Sequence, residues 1–262
     1  MQRGEFEAAA ALLDQGLRRF RSMGRTHMVT VSLINLGFCR LEMGEPGESA
    51  LLAEEALGTA RASGDQHREA SATFLAGEAA LELGDPPAAV ARFDTALALS
   101  RTIGDVDGQV HALALLGSTA MLMGRRSELA VHVRDALALL ADAFDPLTAC
   151  SVLELAASCA GDEANLARGM RLVGAAEAER GRVGALRTVT EERLHARFMS
   201  LATNVFGSSA VKMALAEGRR LPLAEALAVA HQITRAALEG PPASDTPADC
   251  GGRSPAALQG AR

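Results

Sequence analysis

Apolar and small side chains return along this chain with a period of forty residues. Leucines stand at Leu17, Leu57, Leu97 and Leu137, each preceded by a small residue, Gly16, Ala56, Ala96 or Ala136. Met43, Leu83 and Met123 keep the same step. Glycines mark three phases of it: Gly4, Gly44, Gly84 and Gly124; Gly24, Gly64 and Gly104; Gly37, Gly77 and Gly117. Each unit therefore predicts two helices of roughly four turns, ended by glycines that take the left-handed conformation closing a last turn. Prolines agree, since a proline inside a helix costs about 3 kcal/mol. Pro46, Pro86, Pro87 and Pro146 fall in first turns, Pro222 opens the last predicted helix, and Pro241, Pro242, Pro247 and Pro255 lie in the tail.

Within each hairpin the spacing resembles a tetratricopeptide repeat, at Leu36-Gly37, Gly44 and Ala56-Leu57, at Ala76-Gly77, Gly84 and Ala96-Leu97, and at Leu116-Gly117, Gly124 and Ala136-Leu137. The resemblance implies an all-α solenoid of helical hairpins wound as a right-handed superhelix. Small residues would let paired helices approach, and a period longer than the usual 34 residues implies longer helices. A fourth unit decays, with Ala157 in place of the glycine and Gly161 three residues early.

Taken in phase, Gly4 to Ala9 corresponds to the second helix of a hairpin whose first helix is missing. The stripe Phe6, Ala9, Leu13, Leu17 and Phe20 then lacks one of its two neighbours, which predicts an uncapped end, self-association through the unpaired first helix, and a chain that is the carboxyl-terminal part of something longer or begins at a wrongly chosen Met; the alternative is a frayed first helix.

After Gly161 the period is lost. Helices are predicted over 166–180, 189–206, 211–217 and 222–238, with Leu194, Phe198, Leu201 and Val205 on one face of the second. Residues 1–161 are thus read as repeats, the first incomplete, 162–238 as a helical cap, and 239–262 as a tail too poor in large apolar residues to fold. Arg171-Leu172-Val173-Gly174-Ala175-Ala176-Glu177-Ala178, and later Ala216-Glu217-Gly218-Arg219-Arg220-Leu221-Pro222-Leu223-Ala224-Glu225-Ala226, resemble the closing segment of large ATP-dependent LuxR-type transcriptional regulators and related bacterial regulatory ATPases. In that family a nucleotide-binding module precedes the repeats and a helix-turn-helix head often follows; this chain contains neither. Gly174, Ala175 and Ala176 offer a flat helix face, and Gly218 is expected as a helix C-cap.

Composition narrows the functional classes. The 262 residues carry 26 Lys+Arg against 32 Asp+Glu, a net charge of -6. The acidic excess lies before Asp162, and the stretch from there to Gly240 is slightly basic. Aromatics make up 3%, with neither Trp nor Tyr, so the chain has neither the basic stripes nor the stacking platforms of a nucleic-acid binder. Lys212, the one lysine, follows Val211, which excludes a Walker A loop. The start is acidic and no apolar run approaches ~18 residues, so a cytoplasmic chain without membrane contact is expected. Cys39, Cys150, Cys159 and Cys250 form no CxxC pair and read as free thiols. The six histidines form no ligand spacing, Ser209 to Lys212 lacks the companion motif of the SxxK enzymes, and Asp105-Val106-Asp107-Gly108 reads as a turn and helix start instead of a calcium loop. No catalytic residue, metal or cofactor is predicted.

A solenoid offers instead a concave face. The first helices of the units would present Val31, Ile34, Phe38 and Glu42, then Ser71, Phe74, Glu78 and Glu82, then His111, Ala114 and Ser118, then Glu154, apolar at one end and acidic beyond. Such a face suits a helix or extended peptide carrying basic residues; alternatively the glutamates only solubilise an exposed surface. The expected function is a non-catalytic protein- or peptide-binding module, the sensor or scaffold part of a bacterial regulator. The rivals are a free-standing scaffold and the remote end of a nucleotide cyclase or kinase.

Overall fold

A computed structural model of the chain describes residues 3–140 and 145–240. They form eleven helices and no strand: α1 (Arg3–Ser22), α2 (Thr26–Glu42), α3 (Pro46–Ser63), α4 (Gln66–Glu82), α5 (Pro86–Ile103), α6 (Val106–Leu122), α7 (Arg126–Leu139), α8 (Pro146–Ser158), α9 (Glu163–Val183), α10 (Val189–Gly218) and α11 (Leu223–Glu239). The predicted tail falls outside the described residues from 241 onward, as does Cys250. No described helix is long and apolar enough to cross a membrane.

Local chemistry sets these boundaries. α3, α5 and α8 begin on Pro46, Pro86 and Pro146, where a missing N–H costs nothing. Asp65, Asp85, Asp105, Asp145 and Asp162 cap helix starts by accepting a backbone N–H. Asp105 accepts from Gly108 at 2.9 Å, the helix start read from the sequence. The turns between α1 and α7 all close on a positive-φ glycine, from Gly24 at 65° to Gly84 at 83°.

From α1 to α10 each helix packs on the next in chain order, and the even-numbered helices α2, α4, α6 and α8 lie side by side. Small residues set how closely they approach. A Cβ added at Gly37 would come within 2.4 Å of the Leu75 side chain, and one at Gly77 within 2.4 Å of Phe93, a ring that is fully buried. At Gly117 the nearest atoms are 3.5 Å away, so the third member of this glycine series has room to spare.

The first helix is covered less than its counterparts. Ala9 and Leu13 are half-buried, whereas their equivalents two periods on, Ala89 and Phe93, are fully buried. Leu12 is exposed.

The closing segment packs differently. α9 continues from α8, and α10 folds back along α9, so close that a Cβ at Gly174 would lie 2.3 Å from the Leu215 carbonyl oxygen and one at Gly218 2.1 Å from that of Arg171. The sequence predicts Gly218 as a helix C-cap. It is instead the last residue of α10, followed by Arg219 in the right-handed region, and its lack of a side chain serves the contact with α9. The two helices predicted over 189–206 and 211–217 are one element interrupted at Gly207 (φ 79°, ψ 157°). α11 returns to pack on α7, α8 and α9.

Candidate functional site

The face made by the even-numbered helices carries the residues singled out from the sequence. Val31 and Phe38 are half-buried and Ile34 is buried, with Phe38 against the core that joins α1 to α4. Ser71 spends its hydroxyl on the His67 carbonyl at 3.0 Å. Phe74 is buried and meets the His111 ring edge-on, with centroids 5.0 Å apart. Burial pushes His111 below the usual imidazole range, so it is neutral at pH 7. Ala114 and Ser118 are buried, and Glu42, Glu78, Glu82 and Glu154 are half-buried. The glutamates are therefore not a solvated coat.

What covers them is the chain itself. Residues 185–188 and the first half of α10 lie across this face and meet the glutamates with donors. Thr190 donates its hydroxyl to Glu82 Oε1 at 2.5 Å, and Arg193 donates to Glu82 Oε2 at 2.6 Å. Arg187 grips Glu154 with its fork, Nη2 to Oε1 at 2.8 Å and Nε to both oxygens at 3.1 Å. The Val189 backbone hydrogen-bonds Glu42. Beside these, the buried Arg180 donates to Glu191 Oε1 at 2.8 Å and to the Leu186 carbonyl at 3.3 Å. Ser151 on α8 donates to the same Glu191. Glu191 also completes a capping box with Thr188, accepting from its N–H at 2.9 Å.

An apolar seam accompanies the ions. Leu194 and Phe198 of α10 are buried, and with Ser118, Leu155 and Val173 they enclose a cavity of only about 20 Å³, room for about one water molecule. The expectation of an open concave face is therefore corrected: over α4, α6 and α8 it is filled. A cleft of about 560 Å³ remains between the ends of α1 and α2 and residues 184–189.

The carboxylates respond to this crowding. Burial raises Glu78 to about 8, with Glu42, Glu191 and Glu82 adding repulsion, and its Oε2 is buried without a hydrogen-bond partner. Burial also raises Glu42, against the Val189 hydrogen bond. Burial would raise Glu191 too, but Arg180, Ser151 and Thr188 outweigh it and hold the group below the usual carboxylate range.

Sequence reasoning missed Arg180, Arg187, Thr190, Glu191 and Arg193. Two signals pointed to them: the Thr188-x-x-Glu191 capping box, and the basic excess of the closing segment set against the acidic repeats. Cys150 and Cys159 are buried free thiols raised by burial to about 11 and about 12, which leaves them protonated and unreactive at neutral pH. No group of three metal-binding side chains occurs among the described residues. In comparisons with known proteins the chain matches no family model and no curated protein.

Proposed function

We propose that the chain is a tetratricopeptide-like helical-repeat module with a helical cap, that it binds a protein or peptide partner, and that it serves as the sensor or scaffold part of a bacterial regulator. One observation supports the binding part of this reading: within the chain the acidic face is met by Arg187 just before α10, and by Arg193 and the Leu194–Phe198 seam on α10 itself. The regulatory part rests on the resemblance of 171–178 and 216–226 to the closing segment of ATP-dependent LuxR-type regulators. In such a protein, occupancy of the face would alter how the hairpins stack, and that change would pass along the array.

Calorimetry with arginine-bearing amphipathic peptides tests the binding part; saturable binding lost in Glu82→Gln and Glu154→Gln variants is expected, and binding indifferent to both would overturn it. Reading the gene upstream of Met1 tests the rest. An in-frame P-loop module supports the regulator, a cyclase or kinase domain the enzyme-linked alternative, and an in-frame stop a free-standing scaffold.

A further inference from the structure

We infer that residues 185–206 are a displaceable, tethered occupant of the acidic face, and that the external partner is a basic amphipathic helix taking the same places, with arginines at Glu82 and Glu154 and apolar side chains at the Leu194 and Phe198 positions. The inference rests on the proposed binding function and adds how access to the face is controlled.

Hinges bound the segment on both sides. Gly184 caps α9 in the left-handed region (φ 70°, ψ 25°), and Gly207 interrupts α10 at φ 79° and ψ 157°, a conformation that residues with a side chain rarely adopt. What flanks it is anchored without it. The second half of α10 is locked to α9 through Gly174 and Gly218, and α11 is held by α7, α8 and α9. Departure of the segment leaves those contacts in place but strips the buried Arg180 of Glu191 and of the Leu186 carbonyl, so an incoming helix must bring an acceptor to Arg180 as well.

Its own hold on the face is incomplete. Arg193 is 48% exposed in its pair with Glu82, and Val189, Leu201 and Val205 are exposed. Glu78, facing Glu42 on α2, Glu82 on its own helix and Glu191 on α10, receives no donor at Oε2. A partner that brings a further cation to Glu78 would make a contact the tethered segment lacks. The cleft beside residues 184–189 gives such a helix a place to begin.

A tethered occupant competes at an effective concentration in the millimolar range, so an external helix of equal quality binds weakly until the tether is loosened. The test uses the full chain and a fluorescein-labelled synthetic peptide of residues 185–206, followed by anisotropy at low salt. The double variant Arg187→Ala, Arg193→Ala should bind the peptide at least tenfold more tightly than the parent. A peptide with both arginines replaced by alanine should lose at least tenfold on that variant. Amide exchange within 189–206 should speed up when unlabelled peptide saturates the parent, while 208–218 stays protected.

If the variant binds but the parent's 189–206 amides exchange as slowly as 208–218 with or without peptide, the segment is a fixed part of the cap; displacement is then overturned and the binding reading stands. If a folded variant binds nothing, both fall. Should the double variant lose its helical circular dichroism, Arg193→Ala alone, at a half-exposed position, carries the same comparison with a smaller gain.

Discussion

The repeats and the closing segment solve the same problem, bringing helices together without aromatic bulk, by different means. In the hairpins a glycine faces a neighbouring side chain, Gly37 against Leu75 and Gly77 against Phe93, and the glycines themselves recur every forty residues. In the closing segment Gly174 and Gly218 face backbone carbonyls, and buried ions replace part of the apolar seam. A side chain can yield a few tenths of an ångström, but a helix backbone cannot. The repeats should therefore be forgiving and the cap exacting.

The largest effect expected is at Arg180. Arg180→Ala strips the buried Glu191 of its ion pair at 2.8 Å and should cost about 3 to 5 kcal/mol by urea unfolding. On the repeat side, Arg18→Ala breaks an exposed pair with Asp14 and should change stability by less than about 0.5 kcal/mol. Next comes Gly174→Ala, whose Cβ would sit 2.3 Å from a carbonyl oxygen; a loss of about 3 kcal/mol is expected in the same assay.

Glu78→Gln should act in the opposite direction. Because the folded group titrates at about 8 against an ordinary 4.5, folding holds a proton that the unfolded chain releases between those values. The parent therefore loses stability as pH rises through that window, by up to about 1.4 kcal/mol per pH unit from this group. The glutamine variant should match the parent below about pH 4.5 and exceed it by about 3 kcal/mol near pH 7, measured by unfolding across pH. A constant difference at all pH values would show that Glu78 is ionised in the folded chain. Smallest is Gly117→Ala, expected within about 0.5 kcal/mol of the parent because its Cβ would meet ordinary contacts at 3.5 Å; Gly77→Ala, against the immobile Phe93, should lose about 1 to 3 kcal/mol by thermal unfolding.

The same contrast explains what was legible in the sequence. Hairpin boundaries could be read because Pro46, Pro86, Gly64 and Gly104 are punctuation whose meaning is local, and because repetition averages out accidents. The helices of the closing segment were visible for the same local reasons. Their placement was not, because nothing periodic relates Arg193 to Glu82 or Arg187 to Glu154. The residues of the acidic face could be grouped from the sequence because they stand at equivalent repeat positions, yet the segment that lies across them is in a part of the chain read only as an end piece. Charge complementarity between the two regions was the remaining clue, and charge alone carries no register.

The bond between Arg193 and Glu82 joins residues 111 apart in the chain. At ribosomal speeds of about 5 to 20 residues per second, roughly 5 to 20 seconds separate the synthesis of the carboxylate from that of its guanidinium. During that interval α4 can already stack on its earlier neighbours while its acidic edge stands bare. Every newly made copy thus passes through a brief period in which Glu82 stands without the arginine that later pairs with it.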